Sequence, residues 1–195
     1  MTKIAIIYFS GYGHTAKQAE AVKEGASSVN SATVTDIQIP ESGEIAADVW
    51  DTLAEADAII YGSPTYMGGP AWQFKKFADE SSKVWLARTW KDKIAGGFTN
   101  SASVNGDKFL TINYFFTLSQ QHGQVWIGIG QPSANTKAHG PEHANWTGGA
   151  AGALAISPSD ASPEEAPRAG DLETARLYGE RIAQYAVKTR QAVAA

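Results

Sequence analysis

An apolar run near the start of the chain leads directly into a turn of small residues and then into a helix-like segment. Residues 4–9 are almost entirely apolar, as in a strand that is buried on both faces of a parallel sheet. The turn S-G-Y-G-H-T occupies residues 10–15, and alanines recur at helical spacing after it. Such a turn points backbone N–H groups and the positive end of a helix dipole at an anion. We therefore predict that residues 10–15 bind a phosphate group.

Strand-like and helix-like segments alternate along the chain. The predicted strands are 4–9, 34–39, 56–61, 94–98 and 125–129, and the predicted helices are 14–28, 70–81, 107–121 and a closing helix N-capped by Asp171. This alternation implies right-handed crossovers, so the predicted fold class is α/β, a doubly wound five-stranded parallel sheet with helices on both faces. The chain has 195 residues and no visible linker or internal repeat, which predicts a single domain over residues 1–195. Two irregular stretches, 130–152 and 157–170, interrupt the pattern, and the longer one is typical of a lid or a subunit contact.

Composition excludes several classes of function. A net charge of -4 argues against a nucleic-acid-binding surface, and zero cysteines exclude disulfides and thiolate chemistry. No apolar run is long enough to span a membrane and no signal peptide is evident, so we expect a cytoplasmic protein. His139 and His143 lie in a polar stretch without paired acids, and we predict no metal site. Since the nucleophile and triphosphate-loop motifs are also missing, any redox chemistry would come from a cofactor.

The turn at residues 10–15 allows more than one interpretation. Gly11, Gly13 and Ala16 satisfy a dinucleotide fingerprint, and Asp36 lies 20 residues beyond Ala16, where a ribose-binding acid is expected. Asp36, however, falls inside the alternating strand 34–39 and not at its end. Hydroxyl groups flanking the turn suit the terminal phosphate of a flavin mononucleotide, which is the favoured interpretation. A dinucleotide site and a purely structural turn remain open.

Several motifs, in the right order, resemble the flavodoxin-like WrbA-type NAD(P)H:quinone oxidoreductases. They are S-G-Y-G-H-T at 10–15, G-S-P-T-Y-M-G-G at 62–69, Val84-Trp85, I-A-G-G-F-T-N-S at 94–101, Gln121-His122-Gly123, the glycine-rich 148–152 and the closing helix. The resemblance implies a sheet of order 2-1-3-4-5, an FMN cofactor and a homotetramer. It also implies two-electron reduction of quinones by NADH or NADPH, with hydride passing through flavin N5 in a ping-pong cycle. The alternatives are a non-enzymatic flavodoxin-type electron carrier and an FMN reductase that releases reduced flavin.

Site residues are carried over from this resemblance by position. FMN would be bound by Ser10, Gly11, Tyr12, Gly13, His14, Thr15, Pro64, Thr65, Tyr66, Met67, Asn100, Ser101, Ala102, Ser103, Val104, Asn105 and His122. The catalytic candidates are His122, Trp85 and Tyr12. Of these, Trp85 and His122 align with family positions on the substrate side of the flavin, supplied in part by neighbouring subunits. On the residues alone, Trp85 could equally be a core or interface side chain, and His122 the C-cap of the helix before Gly123.

Two positions depart from the family pattern. Residues 100–106 contain glycine only at Gly106, where the family has a glycine-rich run, so their side chains must leave room for the ring. Tyr66 stands where the family often has an arginine beside the flavin. Losing that cation would lessen the electrostatic support for anionic reduced flavin.

Overall fold

A computed structural model describes residues 1–194 of the chain. Its strands are β1 (Thr2–Phe9), β2 (Ala32–Ile39), β3 (Ala58–Tyr66), β4 (Gly69–Pro70), β5 (Ile94–Ser101), β6 (Val125–Trp126) and β7 (Ala153–Ile156). Its helices are α1 (His14–Ser27), α2 (Ala47–Glu55), α3 (Trp72–Glu80), α4 (Ser82–Leu86), α5 (Lys108–Gln121) and α6 (Ala169–Ala194). No helix among these is long and apolar enough to cross a membrane.

The main sheet is parallel and runs in the order β2-β1-β3-β5-β6, which confirms the predicted fold class. The fifth position differs from the single strand predicted at 125–129. Two short strands fill it instead, because β6 pairs with the first residues of β5 and β7 pairs with the last four. The chain between them, residues 127–152, leaves the sheet and returns.

Helices cover both faces of the sheet, and β1 shows why the sequence requires this. Ile4, Ile6 and Tyr8 face a core formed with α1 and α6, while alternate residues of the same strand face a core formed with α2, α3 and α5. A strand buried on both faces has no polar side to alternate with, and its residues are therefore nearly all apolar. β1 is thus an interior strand of the main sheet, paired with β2 on one side and with β3 on the other.

Three local boundaries differ from the sequence expectation. β3 continues through the predicted turn at 62–64 as far as Tyr66, and α3 begins at Trp72, because Pro70 pairs with Thr65 in the short β4. α6 begins at Ala169, so Asp171 lies inside its first turn and does not cap it. The Asp171 carboxylate instead accepts a hydrogen bond from the backbone N–H of Ile156, at the end of β7.

Parallel strands bring their carboxyl ends to one edge of the sheet. The segments that follow β1, β3, β5 and β7 therefore meet there, while the segments that precede the strands meet at the opposite edge. Open α/β sheets bind ligands at the carboxyl edge, beside the point where the strand order reverses. In this sheet that point lies between β1 and β3.

Candidate functional site

A cavity of about 570 Å³ opens at the carboxyl edge of the sheet. Its lining residues are Tyr12, His14, Thr15, Pro64, Thr65, Tyr66, Asn100, Ser101, Ala102, Ser157, Pro158, Ser159 and Ala161. The three segments predicted from the sequence thus contribute to one cavity, and a fourth segment, 157–161, completes it. The volume falls within the usual range for sites that enclose a small organic ligand.

The turn at residues 10–15 has the geometry of an anion-binding helix N-terminus. Gly13 immediately precedes α1 and has a φ of 90°, in the left-handed region that favours glycine. A Cβ atom at Gly13 would also come within 2.6 Å of Cγ of Pro163. The Ser10 hydroxyl accepts a hydrogen bond from the N–H of Ala16 at 3.1 Å, which satisfies one N–H of the first turn and leaves the Ser10 proton free to be donated. The arrangement suits an anionic ligand held by N–H and O–H groups.

His14 is oriented by the segment that covers the turn. Its Nδ1 lies 2.9 Å from the carbonyl oxygen of Ala166, an atom that can only accept, so Nδ1 carries a proton. Nε2 is then left for a ligand, since His14 lines the cavity. The contact also fixes residues 163–166 over the start of α1.

Two tyrosines form one wall of the cavity. The rings of Tyr12 and Tyr66 meet edge to face with their centroids 6.3 Å apart, and Tyr12 is 77% exposed at the cavity mouth. Gly11 permits this arrangement, because a Cβ atom there would lie 2.6 Å from the Tyr66 hydroxyl. Burial, and to a lesser degree Tyr12, raises the pKa of Tyr66, which stays a neutral hydrogen-bond donor. The wall therefore presents planar, uncharged rings to a ligand.

Thr65, which lines the cavity, is held from behind by a set of buried hydroxyl groups. Thr65 Oγ1 lies 2.9 Å from Thr99 Oγ1 and 2.8 Å from Thr111 Oγ1, and the Thr99 hydroxyl donates to the carbonyl of Ser63 at 2.6 Å. These contacts tie the ends of β3 and β5 to α5. They therefore fix the position of the Thr65 side chain in the cavity lining.

The fourth segment was not assigned to the site by the sequence analysis. It is joined to the others by the Asn100 amide, which donates to the Ser157 hydroxyl at 2.8 Å. A signal was present in the sequence, since the apolar run 153–156 ends in Ser157-Pro158 as β3 ends near Pro64. Because strand 153–156 was not predicted, its carboxyl end was not placed beside the cavity.

Some predicted binding residues do not line the cavity. Met67 follows β3 fully exposed, and Ser103, Val104 and Asn105 are exposed in the segment after β5. Ser101 and Ala102 from the same segment do line it. The cavity lining includes no lysine or arginine.

His122 and Trp85 lie at the other edge of the sheet. His122 is the C-cap of α5 and lies just before β6, whose first residue pairs with Ile94 at the start of β5. The seven-residue rise from Ile94 to Ser101 puts that edge about 23 Å from the cavity. His122 is 4% exposed, with its ring 4.4 Å from that of Trp90, so the imidazole is enclosed within its own subunit. Trp85, on the short helix α4, is exposed.

Among the described residues, 1–194, no group of three or more His, Cys, Asp or Glu side chains is placed to hold a metal ion. His139 and His143 lie side by side with ring centroids 4.8 Å apart.

Comparison with known proteins finds relatives that match nearly the whole length of this chain. Residues 5–90 match the family model of the flavodoxin domain. Flavodoxin FldP of Pseudomonas aeruginosa is 47% identical over 184 residues, covering 94% of this chain and 96% of that protein. A Trichlorobacter lovleyi protein named NAD(P)H dehydrogenase (quinone) is 30% identical over 202 residues, covering 94% of this chain and 97% of that protein. The structure of a WrbA-like flavodoxin from Agrobacterium tumefaciens is 45% identical and superimposes with a TM-score of 0.77, covering 96% of this chain and 99% of that one.

Proposed function

The chain belongs to the flavodoxin-like, WrbA-type family of flavoproteins, and from this premise we propose that its cavity binds FMN and that the protein reduces quinones with electrons from NADH or NADPH. The observation that carries the proposal is the cavity at the carboxyl edge, with an anion-binding turn at one end and a tyrosine wall beside it. The relative named as a quinone-reducing dehydrogenase supports the activity. The flavodoxin domain supports the cofactor.

The residues of the cavity fit the parts of FMN. The turn at 10–15 would hold the phosphate, with the Ser10 and Thr15 hydroxyls and the N–H groups at the start of α1 as donors. Pro64, Thr65 and Tyr66 on one side and residues 100–102 on the other would bracket the ring. When bound, the flavin supplies the hydride acceptor and donor that no side chain of the protein provides.

The side chains around the cavity have three tasks. Tyr12 and Tyr66 offer aromatic faces and edges against which a planar quinone or nicotinamide can pack. The segments 157–161 and 100–102 line the cavity and would shield a bound ring from water. The Tyr66 hydroxyl, a neutral donor with a raised pKa, is available to hold a proton at its oxygen. Of the three predicted catalytic residues, Tyr12 lines the cavity, and Trp85 is proposed only as a contribution from a neighbouring subunit. No role at the cavity is proposed for His122.

The proposed use of the same cavity opening by the electron donor, NADH or NADPH, and by the quinone acceptor predicts a ping-pong cycle. Tyr12 is exposed at that mouth, and a donor packed against it must leave before an acceptor can take the same place. Parallel lines in double-reciprocal plots of initial rate against NADH and benzoquinone are the expected result.

Binding of FMN is tested by calorimetry against riboflavin. Removing the phosphate forfeits several charge-assisted hydrogen bonds of about 1.5–3 kcal/mol each, so riboflavin is expected to bind weaker by several kcal/mol. Gly13→Val, which strains φ and collides with Pro163, should abolish FMN binding. Gly123→Val is the matched control, because Gly123 also has a positive φ (71°) but lies at the opposite edge. Equal affinity for riboflavin and FMN would contradict the assignment.

Electron transfer is tested by anaerobic stopped flow of the FMN-loaded protein. NADH or NADPH should bleach the flavin absorbance, and benzoquinone should restore it. A second candidate, an electron carrier, is favoured by one observation, since the relative named a flavodoxin shares 47% identity against 30% for the quinone dehydrogenase. If neither nucleotide bleaches the flavin, the carrier replaces the enzyme. Release of reduced flavin into a filtrate would indicate an FMN reductase.

A further inference from the structure

A lysine side chain is buried directly behind the cavity wall. Lys108, the first residue of α5, is only 1% exposed. Its Nζ donates hydrogen bonds to Ser101 Oγ at 2.8 Å, to the carbonyl of Ser103 at 2.7 Å and to the carbonyl of Val104 at 2.9 Å. Three neutral oxygen atoms of the segment after β5 thus converge on one ammonium group.

The charge on this ammonium is not balanced by a close carboxylate. None of the ion pairs within 4 Å among residues 1–194 includes Lys108. Burial lowers the pKa of Lys108 to about 8, and the more distant Asp171 opposes the shift. At neutral pH the side chain therefore remains charged in a site that disfavours charge. A neutral donor would hold the segment at lower cost, which indicates that the charge itself has a use.

The Ser101 side chain links the ammonium to the cavity. Ser101 lines the cavity and accepts the hydrogen bond from Lys108. The cavity lining has no lysine or arginine of its own. Lys108 is therefore a cation positioned one side chain behind the wall that would bracket the flavin.

We propose that Lys108 is a positioning residue that fixes the segment 101–104, so that Ser101 and Ala102 lie against the bound flavin, and that its positive charge favours the anionic reduced form. This inference rests on the proposed binding of FMN. Two electrons and one proton convert the neutral oxidised flavin to an anion, and a nearby cation stabilises that product more than the starting form. Lys108 in this way supplies a positive charge from behind the cavity lining, whereas Tyr66, which is part of the lining, carries none.

The test is the two-electron midpoint potential of bound FMN in charge-removing and charge-keeping variants. Lys108→Met should weaken binding of reduced relative to oxidised FMN by about tenfold, a fall in potential of about 30 mV for a two-electron couple. Lys108→Arg should keep the potential near that of the wild type. Lys108→Gln, which retains a donor without the charge, should lower it as Met does and serves if the Met variant does not fold.

Lys93 offers a matched control at the opposite edge of the sheet. It is also a partly buried lysine, and its Nζ donates to the carbonyl oxygens of Ala54 and Ala56. Lys93→Met should lower the thermal midpoint and leave the potential unchanged. An unchanged potential in FMN-loaded Lys108→Met and Lys108→Gln overturns this inference and leaves the proposed binding of FMN intact. If calorimetry shows that the wild-type protein does not bind FMN, the proposed function fails and the inference fails with it.

Discussion

The protonation state of His122 follows from its neighbours. Ser81 has a single hydroxyl proton, which it donates to the carbonyl of Ala78 at 2.7 Å. The imidazole Nε2, 2.9 Å from the same hydroxyl oxygen, must therefore be the donor of that second contact. Nδ1 is then unprotonated, and it is buried without a partner among the described residues. Burial accordingly lowers the pKa of His122 to about 4.

This depressed pKa predicts a loss of stability on acidification. The unfolded chain binds a proton at His122 near pH 6.5, whereas the folded chain resists it down to about pH 4. The contribution of neutral His122 to the free energy of unfolding is therefore present in full above pH 6.5. It is lost as the pH falls towards 4, by about 1–3 kcal/mol. His122→Gln, which keeps an N–H donor for Ser81, should flatten this part of the curve of unfolding free energy against pH. An unchanged slope between pH 6.5 and 4 in urea titrations would contradict the assignment.

Sequence reasoning located residues whose conformation is local and missed contacts that depend on the packing of distant segments. The sequence predicted Gly13 because a strand, a small-residue turn and a helix are adjacent in the chain. The role of His122 depends on Ser81 and Trp90, and nothing in its own neighbourhood indicates either contact. Its alternative interpretation as a helix C-cap, which needs local information alone, describes its position.

At the scale of elements, β7 and α6 are joined by one buried carboxylate. Asp171 Oδ2 accepts a hydrogen bond from the N–H of Ile156 at 2.8 Å, and Asp171 is almost fully buried. Burial raises the pKa of Asp171 to about 6, while the bond from Ile156 and then Lys108 and Arg168 oppose the shift. The contact fixes the end of β7 at the point where the cavity segment 157–161 begins.

Removing this carboxylate should loosen the cavity segment. Asp171→Ala leaves the Ile156 N–H buried without an acceptor, which costs about 1–3 kcal/mol of unfolding free energy. Affinity for FMN should fall as well, because 157–161 lines the cavity. Asp171→Asn keeps an oxygen acceptor and should retain most of both quantities. Urea unfolding and calorimetry measure the two effects, and an Ala variant with unaltered stability would refute this role for the contact.

Elements with a strong apolar pattern were predictable, and a divided element was not. β1, β2, β3, β5 and α5 lie close to their predicted positions because each carries a strong apolar pattern, which alternates with polar residues in β2. The sequence predicts the fifth strand at 125–129, where the apolar residues Val125, Ile127 and Ile129 occupy alternate positions. In the structure only Val125–Trp126 pairs there, and β7 takes over the position from farther along the chain. Short strands separated by a long excursion give no periodic signal strong enough to join them.

At the scale of the whole molecule, the outer face of α5 indicates assembly. Between Lys108 and Gln121 the helix carries no charged side chain, and Phe109, Leu110 and Phe116 are exposed. Apolar surface of this kind on a protein of net charge -4 is typical of a contact between subunits. The exposed Trp85 and Leu86 on α4 form a second, smaller apolar area.

We expect a homotetramer, in equilibrium with a dimer and stabilised by FMN if the flavin contacts two subunits. Phe109→Asp and Phe116→Glu should shift the mass measured by light scattering towards smaller species, because each buries a charge in the contact. Tyr185→Glu on α6, a comparable change elsewhere on the surface, is the control. A monomeric wild-type protein at tens of micromolar with saturating FMN would oppose assembly and favour the electron carrier.

The divided fifth position also limits pairing between this edge of the sheet and strands of other molecules. An uninterrupted outer strand offers a row of free N–H and C=O groups on which a strand from a misfolded neighbour can assemble. Here the border beside β5 consists of two residues of β6 and four of β7, and the chain departs from the sheet between them. An incoming strand finds no long template on that side. The excursion at 127–152 therefore disfavours edge-to-edge pairing at this border of the sheet.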